Sequence, residues 1–185
     1  MDNGLIPGRY AKALYKLAVE KGNSEEVYEE MKSVVAAFET TPGLEKVLSN
    51  PFVDRSEKEK LLLTAAGDRV EDDYRGFVKL ILDNKREEFA RSMAIAYCDI
   101  YRQAHHIAKV VITTASAMSE DEMDKIRSLV RNAYKDYELE YGTVVDPNLI
   151  GGFVIDVAGN RLDSSLSNEI EQLRLNLLRS NEKDA

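Results

Sequence analysis

Few residues in this chain have the types and spacing that chemistry requires. The two histidines are adjacent, His105-His106. Neighbours on a helix point about 100° apart, so they do not form the i,i+4 pair that grips a metal. Polar imidazoles at a helix end are the simpler reading. Cys98 lies in an Ala-rich stretch with no histidine beside it, which fits a buried inert thiol better than an activated nucleophile. Gly151-Gly152 lacks the Lys-Ser/Thr of a phosphate loop and precedes a strand rather than a helix, so backbone freedom at a tight bend is its expected use. Asp163-Ser164-Ser165 could supply the base and nucleophile of a hydrolase. The same spacing suits the N-cap of a last helix, and the nearest histidine in sequence to Ser165 is His106. The acidic pairs Glu29-Glu30, Asp72-Asp73 and Glu87-Glu88 read as solvated helix faces. These residues predict no catalytic residue, no metal site and no cofactor.

The elements that would carry such residues fall into two kinds. From Leu5 to about His105 the pattern is helical throughout. Predicted helices run over Leu5–Lys21 (stopped by Gly22), from Asn23 toward Phe38, from Pro42 through Leu48, from Asp54 through Ala66, over Val70–Asp83 and from Glu88 to about His105. Capping-box spacing marks Asn23 with Glu26 and Asp54 with Glu57. Pro42 is expected at a first helical position, and Lys85-Arg86 suit the negative end of the fifth helix. The pattern then changes. Val110–Thr114 is β-branched and reads as a buried strand. Ser119 to Tyr134 returns to helix, with Ser119 and Glu122 as a capping box. Leu139, Tyr141 and Thr143 alternate with polar or small residues as a half-buried strand. Phe153–Val157 forms a third strand, and Gly159-Asn160 predicts a hairpin turn that pairs Arg161-Leu162 back. Leu166, Ile170, Leu173 and Leu177 predict a final helix, with Leu173 and Leu177 expected against the strands. Asn181–Ala185 reads as a frayed polar tail.

Of the 185 residues 44% are hydrophobic and 31% charged, a globular composition. The formal net charge of −8 disfavours nucleic acid and gives no pull toward an anionic bilayer. One cysteine allows no intrachain disulfide and suits a reducing compartment. No apolar run approaches the ~20 residues of a membrane span, and Met1–Ile6 reads as neither signal nor transit peptide. A cytoplasmic chain follows, without direct membrane insertion and reaching a membrane only through partner subunits.

Two helices are greasier than one core requires. On a wheel of ~100° per residue, Arg9, Lys12, Lys16 and Glu20 fill a polar stripe of about 80°, and the apolar arc of the first helix spans roughly 240°. Val70, Tyr74, Phe77, Val78, Leu80, Ile81 and Leu82 cover roughly 200° of the fifth, where packing on one core needs little more than ~100°. Such helices are either central in a bundle or expose a groove for a partner helix.

Several segments carry a resemblance. Arg9-Tyr10-Ala11-Lys12-Ala13-Leu14-Tyr15 followed by Ala18, the step Leu48-Ser49-Asn50-Pro51, Phe77 to Arg86, Val111-Ile112-Thr113-Thr114-Ala115 before Met118-Ser119, and above all Val145-Asp146-Pro147-Asn148-Leu149-Ile150-Gly151-Gly152-Phe153-Val154-Ile155 with Leu162-Asp163-Ser164-Ser165 stand in the order of the delta/OSCP family of F-type ATP synthases, which the chain resembles over almost its whole length. It departs at Ser164, where many members have Gly, and at Leu166, Ser167 and Asn168, where a basic residue is common.

The resemblance implies a mainly α protein, an N-terminal six-helix bundle over residues 1–106 followed by a small α/β domain over 107–185. It implies a non-catalytic stator subunit of the peripheral stalk, on the cytoplasmic face of a bacterial membrane, binding no nucleotide. The first and fifth helices would take the N-terminal helix of an alpha subunit of the catalytic head, lined by Tyr10, Leu14, Leu17, Phe77, Val78 and Ile81. The rear domain, from about Ile107 to Arg179, would meet the b subunits. The implied helix pair is the pair with over-wide apolar arcs, which favours a groove over central burial. An adaptor in another assembly and a hydrolase using Asp163 and Ser165 are the competing readings.

Overall fold

A computed structural model of the chain describes residues 5–67, 69–166 and 168. The protein is mainly helical with one small sheet, and divides into two compact units, Met1–Ala104 and His105–Ala185.

The first unit contains helices α1 (Leu5–Lys21), α2 (Ser24–Thr40), α3 (Leu44–Ser49), α4 (Arg55–Ala66), α5 (Asp72–Asp83) and α6 (Ala90–Ala104), the last preceded by a 3-10 turn over Glu87–Phe89. α1 ends as its sequence dictates. Gly22 takes a left-handed φ of 76°, and the Asn23 and Gly22 amides bond back to Ala18 and Val19, closing a Schellman motif. The end of α5 repeats that geometry with Lys85 at φ 53° in the glycine position. The core is built from Ala11, Leu14 and Ala18 of α1, Val27, Met31 and Val34 of α2, Leu62 of α4, Val78 and Ile81 of α5 and Met93, Ala94 and Tyr97 of α6. Its tyrosines bury their rings and still bond: Tyr74 donates to the Leu62 carbonyl at 3.0 Å and Tyr97 to the Ser24 carbonyl at 3.2 Å.

Three local expectations need correcting here. Asn23 and Asp54 precede α2 and α4, but neither side chain caps its helix; the Asn23 amide is drawn away to Glu71 and Asp73 of the α5 segment. Pro42 lies in the turn before α3, which starts at Leu44. The acidic pairs are not simply solvated. Glu30 and Asp73 are buried, and Glu87 is half-buried, bonded to the buried Lys58 at 2.6 Å. The ~100° between neighbours turns one member of each pair inward.

The second unit holds β1 (Ile107–Thr114), α7 (Glu120–Ala133), β2 (Glu138–Val145), β3 (Gly152–Val157) and β4 (Asn160–Ser165), in sheet order β2-β1-β3-β4. β1 and β2 run parallel, joined through α7, while β3 pairs antiparallel with both β1 and β4. Ala108, Val110, Ile112, Ile155 and Val157 pack on Met123, Ile126 and Val130 of α7. The Ser119–Glu122 capping box forms as expected. The hairpin turn falls one residue earlier than Gly159-Asn160: Ala158 and Gly159 occupy it at φ 49° and 85°, and Asn160 already pairs with Val157. In this register Leu162 lies opposite Ile155. Gly152 has φ 72°, and a Cβ there would lie 2.2 Å from the Ser164 carbonyl oxygen, so only glycine fits the bend. Ile170, Leu173 and Leu177 of the expected last helix, and the tail Asn181–Ala185, lie outside the described residues.

Candidate partner-binding furrow

α1 buries one narrow face, Pro7, Ala11, Leu14 and Ala18. On one flank of that face Tyr15 meets the rings of Tyr97 and Tyr101 edge-on at 5.9 and 6.4 Å, sealing α1 to α6. On the other flank, ~60–120° round the helix, stand Ile6, Tyr10, Ala13 and Leu17. Ile6 and Tyr10 are half-buried, Ala13 is exposed, and Leu17 is 39% exposed. Lys21, on this same flank one turn further on, is ion-paired with Asp73 in the first turn of α5, so the unsealed stripe of α1 faces the α5 side.

α5 answers with a matching stripe. Asp73, Gly76, Phe77 and Leu80 recur on one face. Leu80 is 49% exposed, and a Cβ built on Gly76 meets nothing within 4 Å. The Lys21–Asp73 pair joins the two helices at one end of these stripes.

The six residues read from sequence as lining divide by depth. Tyr10 and Leu17 reach the surface. Leu14, Phe77, Val78 and Ile81 are buried in the unit's own core. The lining read from sequence did not include Ile6, Ala13, Gly76 and Leu80, which share these two flanks. Leu80 was part of the apolar arc, but nothing in one sequence said which side of α5 its neighbours would cover; Gly76 carries no hydrophobic signal at all.

Around the Lys21–Asp73 pair lies a polar corner. Glu30 of α2 accepts a hydrogen bond from the Glu71 amide at the N-cap of α5. The Asn23 side-chain amide donates to Asp73 at 2.9 Å and to Glu71 at 3.4 Å. Burial pushes the Asp73 carboxyl up, but the Lys21 and Asn23 donors outweigh it and hold it below the usual range.

The residues considered for chemistry have other uses. Ser165 donates its hydroxyl proton to Asp163 at 2.6 Å and accepts the Asn168 amide at 3.3 Å, the N-capping arrangement. The Ser165 hydroxyl and amide hold the Asp163 carboxyl below its usual range, which makes it a poor base. Cys98 is buried. His106 adopts φ 53° and its carbonyl receives the Glu138 amide at 3.0 Å, the bond that starts the β1–β2 ladder. Among the described residues no helix is long and apolar enough to cross a membrane.

This architecture defines a class: a helical unit with partly exposed apolar side chains on α1 and α5, followed by a small α/β unit. The profile of the ATP synthase delta (OSCP) subunit family matches residues 6–177, and the chain belongs to that family. It is 36% identical over 181 residues to an ATP synthase subunit delta of Phocaeicola vulgatus, covering 97% of each chain. It is 35% identical to that of Bacteroides fragilis, over 99% of each. The counterpart from Prochlorococcus marinus subsp. pastoris is 32% identical over 91% of this chain and 93% of its own. Among solved structures, a chain of the Toxoplasma gondii mitochondrial ATP synthase hexamer superposes with a TM-score of 0.75 at 19% identity, covering 93% of this chain and 97% of that one. At that identity the likeness is one of fold.

Proposed function

We propose that this chain is a non-catalytic connector of the peripheral stalk of a bacterial F-type ATP synthase, holding the catalytic head still against the rotor. Residues 1–106 act as a six-helix bundle that takes the N-terminal helix of an alpha subunit in the α1/α5 furrow. Residues 107–185 bind the b subunits, at the cytoplasmic face of the membrane and without entering it. The task is mechanical: torque passes through the link while ion flow drives ATP synthesis in other subunits.

One observation carries this reading. Ile6, Tyr10, Ala13 and Leu17 share one flank of α1 and are half-buried or exposed, and Gly76 and Leu80 are exposed on one face of α5. An amphipathic helix laid there would bury its anchors at i, i+3, i+4 and i+7, gaining about 25 cal/mol per Å² of apolar surface before the losses of association. Tyr10 and Leu17 contact the guest. Leu14 and Phe77 form the floor, and Val78 and Ile81 support it from beneath. The test is a fluorescence-anisotropy titration with an alpha N-terminal peptide. Tyr10→Ala combined with Leu17→Ala should weaken binding at least about tenfold, the effect of losing about 1.4 kcal/mol, with the circular dichroism spectrum unchanged. Unchanged affinity would remove the furrow as the binding site.

A further inference from the structure

The polar corner around the Lys21–Asp73 pair has a hydrogen-bond deficit. Glu30 is 5% exposed. One carboxyl oxygen accepts the Glu71 amide; the other, Oε2, is buried with no partner. Asn23 Oδ1, in the same cluster, is a second buried acceptor without a donor. The groups facing Glu30 include the carboxylates of Glu71 and Asp73, and both cations nearby are engaged, Lys21 with Asp73 and Arg75 with the Val70 carbonyl. From α5 come Glu71, Asp73, Arg75 and Tyr74; the turn between α1 and α2 brings Asn23, with Lys21 committed to Asp73; Tyr97 faces it from α6. Tyr74 and Tyr97 cannot supply the missing donor, because their hydroxyl protons already serve the Leu62 and Ser24 carbonyls. One added proton on Oε2 converts an orphaned acceptor into a donor, and a buried acceptor left unmatched disfavours the folded state.

We propose that Glu30 is a proton-operated positioning residue: protonated, it lets the first turn of α5 close against α2 and sets the α1/α5 furrow, and deprotonated, its unmatched buried charge beside Glu71 and Asp73 outweighs the stronger bond from the Glu71 amide, loosens that turn and lowers the affinity for a guest helix. The coupling to a guest helix rests on the furrow reading above; the pinning of α5 does not. Burial is the main cause that raises the Glu30 carboxyl, to about 7, partly countered by the Glu71 amide. The folded protein therefore holds a proton that the unfolded chain, with an ordinary glutamate, releases from about pH 4.5 upward. The Glu30 contribution to stability is then greatest at low pH and declines as pH rises through about 7.

The direct measurement is a carbon-detected NMR titration of the Glu30 carboxyl in the full-length protein. A midpoint near neutrality is expected, and a midpoint in the ordinary glutamate range overturns the proposal. Glu30→Gln places a neutral donor at the same position. Wild type should bind the alpha N-terminal peptide several-fold more weakly at pH 8 than at pH 6, on the order of fivefold, the low end of typical couplings. Glu30→Gln should keep the pH 6 affinity at both values. Equal pH slopes in the two proteins, or a pH-independent wild type, overturn the coupling. If the peptide binds neither protein at either pH, the furrow reading fails, and urea unfolding decides on Glu30 alone. A midpoint that falls from pH 6 to pH 8 in wild type and stays level in Glu30→Gln sustains the pin; parallel slopes refute it. Should the variant not fold, the wild-type titration still decides.

Discussion

The two flanks of α1 are built to different standards. Toward α6, Tyr15 packs on Tyr97 and Tyr101, and Tyr101 stacks on Tyr28 at 4.2 Å, with Ala11 and Ala18 letting the helices approach closely. Toward α5, Leu17 and Leu80 are left partly exposed, and Lys21–Asp73 joins the two helices at one end. Folding alone gains from filling both flanks, since apolar area left in water forfeits about 25 cal/mol per Å². Partly exposed apolar side chains opposite a sealed flank are what the proposed partner surface requires.

That contrast can be broken first at the sealed flank, where the largest effect is expected. Tyr97 is fully buried. Tyr97→Ala should destabilise the protein by about 3–5 kcal/mol in urea unfolding, as aromatic truncation in a packed core does. A loss below about 1 kcal/mol would mean that this flank is no better packed than the other.

The joint between the flanks comes next. Asp73→Asn removes the charge that receives Lys21 and Asn23, and bonds to a charged acceptor are worth about 1.5–3 kcal/mol. Asp73 and Glu30 share this corner with opposite sign. The folded carboxyl of Asp73 is held low, so its stabilisation is present above the ordinary aspartate range and disappears as pH falls through the folded value. The penalty of Asp73→Asn, read from urea midpoints, should therefore be largest at neutral pH and shrink in acid. A penalty that does not vary with pH would show that the pair contributes shape rather than charge.

How much of this was legible in advance follows from what periodicity measures. The excess apolar arc of α1 was readable, because a wheel records how much of a helix is greasy. Which part is covered depends on where α5 and α6 lie, and that is tertiary information. Val78 and Ile81 looked like lining for this reason, and are core. Glu30 and Asp73 were hidden for the opposite reason. As charged residues beside other charged residues they match a solvated face, and only the arrival of the α5 N-terminus against α2 gives them partners. Signals that are purely local survived intact: Gly22 stopping α1, the Ser119–Glu122 box, and the glycines at the bend before β3. Where a tertiary partner competed, as for Asn23, the local capping rule lost.

The smallest effect on stability is expected at the open flank, and it sharpens the comparison most. Leu80 is half in water, so Leu80→Ser removes little buried area and should shift the urea midpoint by no more than about 0.5 kcal/mol. The same substitution puts a hydroxyl where a guest helix would lay its apolar face, next to the open Gly76. Peptide affinity should then fall several-fold while stability holds. Tyr97→Ala moves stability first, and binding only through it. A substitution that leaves the fold alone and harms binding separates a surface kept for a partner from a core that is merely loose. If Leu80→Ser instead destabilised the protein by more than about 2 kcal/mol, the α5 flank would belong to the interior of the unit, and the difference between the two sides of α1 would be one of packing quality alone.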